Sequence, residues 1–323
     1  MNKESAYWMA LAHELPAWSF ADKDGWKNED KNNLIIKFFH EKQIAIDDFF
    51  QLSTLDWKND YALNDRQIQD LSDAKNKLAN NAFMAENLYN NGIEIIPITS
   101  LDYPKTLKLN LKKATPPLLY IKGNKKILKE NSIAIVGSRD ASEIAIKFTD
   151  NIAKLASMEY KVIVSGFAKG VDKQALDSAI KYSGQSIIVL PQGIMTFESG
   201  FRQYYENIIE GNVLVLSTFP PKATWKTGLA MARNSIIYGL ASEIFVAESS
   251  DKGGTWSGVT DGLKKQRTIF VRKPEIEEKN ANNTLIKKGA IAVDFNGTRL
   301  SNNNNATQQD LFSVAESDAN NSV

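Results

Sequence analysis

The sequence predicts an α/β protein, namely a Rossmann-like, doubly wound and mostly parallel sheet preceded by a helical amino-terminal domain. Between residues 132 and 274, short runs of consecutive apolar residues alternate with longer segments whose apolar residues recur every three or four positions. Strands that are apolar on both faces and alternate with amphipathic helices are typical of a parallel sheet covered by helices on both sides. The first 92 residues lack this alternation, and their apolar residues recur at helical spacing.

The elements follow from these patterns in chain order. We expect short strands at 93–98 and 118–122, and sheet strands at 133–136, 162–164, 187–190, 213–216, 244–247 and 269–271. Ser142 is a residue type that caps helices, so we expect a helix from there to about residue 160. Further helices are expected over 172–183, 229–240 and 254–265.

Four regions result. We expect a helical amino-terminal domain at 1–92, a lysine-rich connector with short strands at 93–131, a Rossmann-like domain at 132–298 and a disordered tail at 299–323. The tail includes four consecutive asparagines at 302–305 and has no lysine or arginine after Leu300, which is a composition that cannot form a packed core.

Composition excludes several kinds of chemistry. The chain has 323 residues and no cysteine, so disulfides, thiolate zinc sites and cysteine nucleophiles are excluded. Its two histidines, His13 and His40, have no companions at ligand spacing, and we predict no metal, no cofactor and no catalytic residue. A signal peptide and a long apolar run are absent, so we expect a cytoplasmic protein without a membrane partner.

The net charge of +1 conceals an uneven distribution. Residues 132–274 contain 17 basic and 13 acidic side chains, and residues 105–129 contain eight lysines and no acid. Such a patch attracts phosphates by Coulomb force and counterion release, although a lysine run is more often a solvated face. Both interpretations stay open at this stage.

The loops that follow the predicted strands indicate an anion site. In an open α/β sheet, ligands bind outside the carboxyl ends of the strands, where helix amino termini offer free N–H groups. Glycines and small residues cluster there, and Arg139 and Lys169 add full charges. The loops lack the dinucleotide fingerprint and the P-loop pattern. For any single loop, the glycines are as readily explained as turns between strand and helix.

Taken together, these loops resemble the DprA/Smf family of DNA-processing proteins. The resemblance covers roughly residues 93 to 294 and rests on the following segments: Gly137-Ser138-Arg139, residues 165–172, Ser217 with Phe219-Pro220, residues 233–240, Glu248 and Gly254-Thr255. It implies a recombination mediator, active in DNA recombination and natural transformation, that binds single-stranded DNA, contacts a strand-exchange recombinase and forms a homodimer.

The resemblance also implies a phosphate-binding and DNA-binding site. Its expected members are Gly137, Ser138, Arg139, Ser165, Gly166, Phe167, Lys169, Gly170, Arg233, Asn234, Gly254 and Thr255. Arg139 and Lys169 would contact phosphates, and Phe167 would either stack on a base or anchor its own turn. Arg233 and Asn234 would either bind phosphate or brace the loops. Carboxylates are poor phosphate ligands, so we expect Asp172 and Glu248 to orient the cations Arg139, Lys169 or Arg233.

The sequence departs from the family pattern in places, and a second function stays open. No winged-helix domain follows Phe295, so we expect a divergent member without that module. Gly253-Gly254-Thr255 also resembles the loop of phosphoribohydrolases, which are nucleotide-cleaving Rossmann proteins. Their catalytic glutamate has no counterpart among Trp256, Ser257 and Gly258, which favours binding without catalysis over nucleotide cleavage.

Overall fold

The computed structural model describes residues 2–300, and the strands within them form a single sheet. The strands are β1 (Glu94–Pro97), β2 (Leu118–Lys122), β3 (Ser132–Val136), β4 (Val162–Ser165), β5 (Ser186–Val189), β6 (Val213–Ser217), β7 (Glu243–Val246), β8 (Ile269–Arg272) and β9 (Ile291–Val293). Their order across the sheet is β1-β2-β6-β5-β4-β3-β7-β8-β9. The predicted α/β class is confirmed.

Strand direction is nearly uniform across the sheet. β2 runs antiparallel to both of its neighbours, β1 and β6, while all the other pairings are parallel. Every residue of β3 to β6 is buried, as expected for strands covered on both faces. The predicted mostly parallel sheet is therefore confirmed, and the carboxyl ends of β1 and of the seven parallel strands lie at one edge.

Helices surround this sheet and precede it. They are α1 (Asn2–Met9), α2 (Asn28–Ile35), α3 (Ile46–Gln51), α4 (Thr54–Tyr61), α5 (Asp65–Asn76), α6 (Leu78–Asn90), α7 (Lys105–Leu111), α8 (Glu143–Met158), α9 (Val171–Lys181), α10 (Glu198–Gln203), α11 (Tyr205–Ile209), α12 (Thr227–Leu240), α13 (Gly253–Lys264) and α14 (Asn282–Lys287). Helix α2 continues into a π-helical turn, Ile36–Glu41. None of the helices within residues 2–300 combines the length and apolar character that a membrane span requires.

Both faces of the sheet are covered by helices. One face packs against α8 and α9, with Phe148 and Leu176 among the fully buried side chains. The opposite face packs against α7, α12 and α13 through residues such as Leu107, Ile236 and Val259. Ser142 caps α8 as predicted, because its Oγ accepts a hydrogen bond from the Ala145 amide at 3.3 Å.

The amino-terminal helices share one core with the sheet. Trp8, Phe49 and Trp57 are buried in the same cluster as Tyr120 of β2. His13 stacks on the Tyr120 ring with 5.6 Å between centroids, and burial lowers the pKa of His13 to about 3, with a smaller contribution from the charge of Lys31. The amino-terminal domain is thus packed on the sheet through an apolar interface.

The stretch 93–131, predicted as a connector with short strands, contributes β1 and β2 to the sheet edge and α7, which packs against α12. The predicted tail begins too early, because Arg299 pairs with Val293 and the Leu300 amide donates to the Ala292 carbonyl. The rest of the predicted disordered tail, 301–323, lies outside the described residues.

Candidate nucleic-acid interface

The chain reverses its direction of travel across the sheet between β3 and β7. From β3 it proceeds outward through β4, β5 and β6, and it then crosses back to place β7 on the other side of β3. Such a switch point opens a crevice at the carboxyl ends of the strands, because the two flanking loops leave in opposite directions. The predicted site residues surround this point.

Two adjacent depressions occupy the crevice. The first, called here the switch-point cleft, has a volume of about 260 Å³. Its lining includes Gly137, Ser138, Arg139, Asp172, Arg233, Asn234, Gly254 and Thr255. The second, called the aromatic groove, has a volume of about 290 Å³ and its lining includes Arg139, Gly166, Phe167, Lys169 and Arg233. Arg139 and Arg233 line both depressions, so the two form one continuous candidate surface.

Arg233 lies beneath this surface. Its residue is 4% exposed, its Nη1 donates to the Val189 carbonyl at 2.9 Å, and its Nη2 lies 3.9 Å from Asp172 Oδ2. Burial lowers the pKa of Arg233, while the negative charge of Asp172 opposes that shift. Burial raises the pKa of Asp172, because it disfavours the charged carboxylate. Among the effects that lower this pKa, the charge of Arg233 is the largest. Asp172 thus lies at ion-pair distance from Arg233, without a hydrogen bond between the two side chains.

Gly166 makes room for that arginine. A Cβ atom at this position would lie 1.6 Å from Arg233 Nη1, which is far inside van der Waals contact. Any side chain at residue 166 would therefore displace the guanidinium from beneath the loop. The space that a side chain at residue 166 would fill is therefore occupied by the guanidinium of Arg233.

The two glycine-rich loops are locked together. Gly170 has a φ of +84°, and a Cβ there would lie 2.4 Å from the carbonyl oxygen of Ser138. The Val171 amide donates to that same carbonyl at 3.2 Å. The loop after β4 therefore buttresses the loop after β3, which carries Arg139.

Asn234 and Thr255 tie the far wall of the cleft to these loops. Asn234 Nδ2 donates to the Gly254 carbonyl at 3.2 Å, and Thr255 Oγ1 donates to the Gly137 carbonyl at 2.9 Å. Ser165 is fully buried, and its Oγ donates to the Ile135 carbonyl at 2.8 Å. These three predicted binding side chains thus have internal partners, which gives them a bracing role in the structure.

The exposed cations are arranged differently. Arg139 is exposed, and its guanidinium forms no hydrogen bond or ion pair with the rest of residues 2–300. Lys169 Nζ lies 3.3 Å from Asp140 Oδ1, but the two side chains are 82% and 90% exposed. Ion pairs this exposed contribute little and exchange readily with other partners. Both cations are accessible to an anionic ligand.

The predicted role of Glu248 differs from the one that the structure shows. We expected it to orient a cation, yet it accepts hydrogen bonds from Ser142, at 2.5 Å from the Oγ and 3.4 Å from the amide nitrogen. Ser142 caps the first turn of α8, where the unpaired N–H groups and the helix dipole favour a negative charge. Glu248 therefore stabilises a helix terminus beside the cleft.

The aromatic side chains of the groove form a cluster. Phe167 has a φ of +59°, and its ring packs edge-on against Phe197 and Tyr204 at centroid distances of 5.0 and 5.7 Å. Its side chain thus anchors its own turn while one part of it lines the groove. Sequence reasoning missed Trp225, which is 49% exposed and lines the same groove. A tryptophan between polar residues in a loop is the signal that would have identified it.

A family model and a relative of known name match the sequence of this chain. The family model described as DNA recombination-mediator protein A matches residues 94–302. DNA processing protein DprA of Streptococcus pneumoniae is 32% identical over 180 residues, which is 55% of this chain and 64% of that protein. The alignment therefore spans somewhat less than two thirds of that relative's length.

Two solved structures share the fold. The structure of DprA from S. pneumoniae has a TM-score of 0.62 and 24% identity, covering 83% of this chain and 95% of that one. The structure of DNA processing protein A from Helicobacter pylori has a TM-score of 0.55 and 24% identity, covering 70% and 97%. The DprA/Smf resemblance read from the loops is confirmed. This chain belongs to the DNA recombination-mediator protein A family.

Proposed function

We propose that this protein is a recombination mediator that binds single-stranded DNA at the switch-point cleft and the aromatic groove, without catalysis. Family membership supports the general role. The H. pylori DNA processing protein A has a single-stranded DNA binding mode, and that protein shares the fold. The observation that carries the proposal is the exposed guanidinium of Arg139, which has no ion pair within residues 2–300 and lies at the junction of the two depressions.

The two depressions suit the two parts of a nucleotide. The cations Arg139 and Lys169 attract phosphates, and the two loops that carry them pack closely on each other because Gly170 has no side chain. The exposed indole of Trp225 offers a stacking surface that accepts any base, and the half-buried Phe167 lines the groove beside it. Sequence-independent binding to a single strand follows from this combination.

The serines of the site support binding without chemistry. The Ser165 hydroxyl is buried against a backbone carbonyl, and the Ser217 hydroxyl donates to the Gln192 carbonyl at 2.7 Å. The buried His13 stacks on Tyr120 in the amino-terminal core. Neither serine therefore has the adjacent base that an activated nucleophile needs.

Fluorescence anisotropy with labelled oligo-dT, at two salt concentrations and with unlabelled duplex as competitor, tests the proposal. We expect salt-sensitive binding that duplex competes for poorly. For the variant with both Arg139→Glu and Lys169→Glu we expect binding to be abolished with the fold intact. The matched control, Lys264→Glu with Lys265→Glu at the end of α13, makes the same charge change away from the site.

Two results would contradict the proposal. Normal DNA binding by the Arg139/Lys169 variant would remove the site from consideration. Absence of oligo-dT binding at low salt would favour the nucleotide-binding alternative, and release of free base from nucleoside monophosphates would establish nucleotide cleavage.

The proposal also includes a homodimer, contact with a strand-exchange recombinase and a cytoplasmic location, which stay predictions from the family resemblance. A dimer would place two basic edges in one particle and increase avidity for a long strand. Light scattering on the purified protein tests the dimer, and pull-down of a purified recombinase in the presence of oligo-dT tests the contact.

A further inference from the structure

A third depression, called here the lysine groove, lies between α2 and α7. Its volume is about 380 Å³. Ile35, Ile36 and Ile98 contribute apolar surface to it, and Lys108, Lys112 and Lys113 contribute positive charge. Ile36 begins the π-helical turn after α2 and is 46% exposed. An apolar floor with lysines beside it is chemically suited to a flat, apolar group that carries flanking negative charges.

The lysine groove lies at the same sheet edge as the candidate DNA site. Ile98 directly follows β1, which runs antiparallel to β2 and therefore in the same direction as β6 and the other parallel strands. Three strand spacings separate β1 from β5, whose following residues Pro191 and Gln192 line the aromatic groove. At about 4.8 Å per spacing, this separation is roughly 14 Å.

One lysine of the groove has a charge that no described carboxylate neutralises. Elsewhere in the stretch 105–129, Lys129 and Lys125 are paired with Asp102, and Lys125 also with Glu94; their hydrogen bonds lower the pKa of Asp102. Lys112, in contrast, is exposed and forms no ion pair with any of residues 2–300. Its ammonium group is therefore available to an anionic ligand.

The other two lysines of the groove are partly restrained. Lys113 is paired with Glu29 at 2.7 Å, although its side chain is 73% exposed. The ammonium group of Lys108 lies 5.2 Å from the Tyr103 ring centroid, and partial burial lowers the pKa of Lys108. An arriving anion would therefore gain most from Lys112 and Lys108.

The groove is held in shape by α2. Asn32 Nδ2 donates to the carbonyls of Lys113 and Thr115, at 3.2 and 2.9 Å, which fixes the loop after α7. Lys112 adopts a φ of +50°, a conformation that a lysine takes only when its surroundings impose it. Asn32 Oδ1 is buried and has no hydrogen-bond partner among the described residues, so an acceptor is unused in the wall of the groove.

We propose that the lysine groove is a second contact site for the same single DNA strand, beyond the candidate site at the switch point. A base would lie on the isoleucine floor, while Lys108 and Lys112 contact the flanking phosphates. At 3.4 Å per nucleotide of a stacked strand, the separation of roughly 14 Å corresponds to about four nucleotides. This inference rests on the proposed single-strand binding and extends its path.

Oligonucleotide length distinguishes the two sites. We would measure anisotropy with labelled oligo-dT of about 4 nucleotides, which is too short to reach both sites, and of about 20 nucleotides, using wild type and the Lys108→Ala, Lys112→Ala double variant. The double variant should lose about tenfold in affinity for the longer strand and bind the shorter strand like wild type. Its salt slope on the longer strand should fall by about 1.4, because two phosphate contacts are lost.

A second variant tests the apolar floor without changing charge. Ile36→Ser should weaken binding of the longer strand while leaving the salt slope unchanged, and its control is Leu55→Ser, an exposed apolar residue on α4. Lys58→Ala, which removes an exposed lysine paired with Asp65, is the control for the lysine variant.

Each outcome is decisive. Wild-type affinity of the Lys108/Lys112 variant for the longer strand would overturn the inference, as would an equal loss on both lengths. If the wild-type protein bound neither length at low salt, the proposed function would itself fail. If the wild-type protein bound the shorter strand, and bound the longer strand with no higher affinity, only the lysine groove would be refuted.

Discussion

Lys31 among the amino-terminal helices and Arg233 beside the sheet are both buried cations, and the protein holds them in different ways. Lys31 is 5% exposed and donates to the Ala12 carbonyl at 2.6 Å, with no carboxylate at ion-pair distance among residues 2–300. Arg233 is 4% exposed, donates to the Val189 carbonyl and has Asp172 3.9 Å away. One buried cation thus relies on a backbone carbonyl alone, and the other also has a carboxylate.

The two arrangements differ because a buried lysine can lose its proton, whereas an arginine keeps its charge. Burial lowers the pKa of Lys31 to about 8, with the charge of Asp30 opposing the shift, so this lysine can become neutral near the top of the physiological range. An arginine stays charged in proteins, so a buried guanidinium needs a compensating carboxylate. The sheet domain therefore keeps a permanent charge pair beneath the loops that carry Arg139.

Removing the permanent cation should have the largest effect. Arg233→Met leaves Asp172 buried without its partner, and we expect the free energy of unfolding to fall by about 3–5 kcal/mol, measured by urea denaturation. The matched change in the other domain, Lys31→Met, should cost less because it leaves no buried carboxylate behind. Equal losses in the two variants would show that the carboxylate makes no difference.

Displacing the guanidinium without removing it should have the next largest effect. In Gly166→Ala the new Cβ would lie 1.6 Å from Arg233 Nη1, so we expect a loss of about 1–3 kcal/mol of unfolding free energy. Gly228→Ala in α12 is the control, since a Cβ there meets nothing within 4 Å. It should be neutral or stabilising by up to about 1 kcal/mol. Similar destabilisation by both changes would mean that Arg233 is not the cause.

The titratable cation should make stability depend on pH. Because the pKa of Lys31 is about 8 when folded and near its ordinary 10.5 when unfolded, the unfolded state binds more protons in between, and stability should rise with pH across that window. From pH 7 to 9.5 we expect a gain on the order of 1–2 kcal/mol in wild type relative to Lys31→Met. Parallel pH profiles for the two proteins would refute this account.

The exposed arginine should affect stability least. Arg139→Ala removes a side chain with no internal partner among the described residues, so the free energy of unfolding should change by less than about 0.5 kcal/mol. Its oligo-dT affinity should nevertheless fall. A stability loss as large as that of Arg233→Met would contradict the distinction between an exposed arginine that is free to bind and a buried one that stabilises the fold.

Much of the fold could be predicted because its signals are local. The apolar runs at β3 to β8 and the cap at Ser142 are legible within a few residues, and the boundaries of α8, α9, α12 and α13 fall within two residues of expectation. The placement of β1 and β2 at the sheet edge was not predicted. Their pairing partners are up to about a hundred residues away in the chain, and no local pattern encodes them.

The candidate site was predictable as a set of loops, but the task of each side chain was not. Ser165 and Thr255 were predicted as ligand contacts, and Asn234 as either a ligand contact or a brace; the structure shows all three side chains donating to backbone carbonyls. Glu248 was expected beside a cation and caps α8 through Ser142. Each of these partners lies far away in sequence or on another strand, so only the assembled edge brings them together.

The sequence by itself determined the α/β class, the positions of the loops and the family, because these depend on residue periodicity and on motif spacing. Only the tertiary structure decided which charges are buried. Arg139 and Arg233 are the same residue type on the same edge, yet one is exposed and unpaired among the described residues while the other lies beneath Gly166 with Asp172. Burial depends on how distant segments pack, and burial is what divides stabilising charges from charges free to bind.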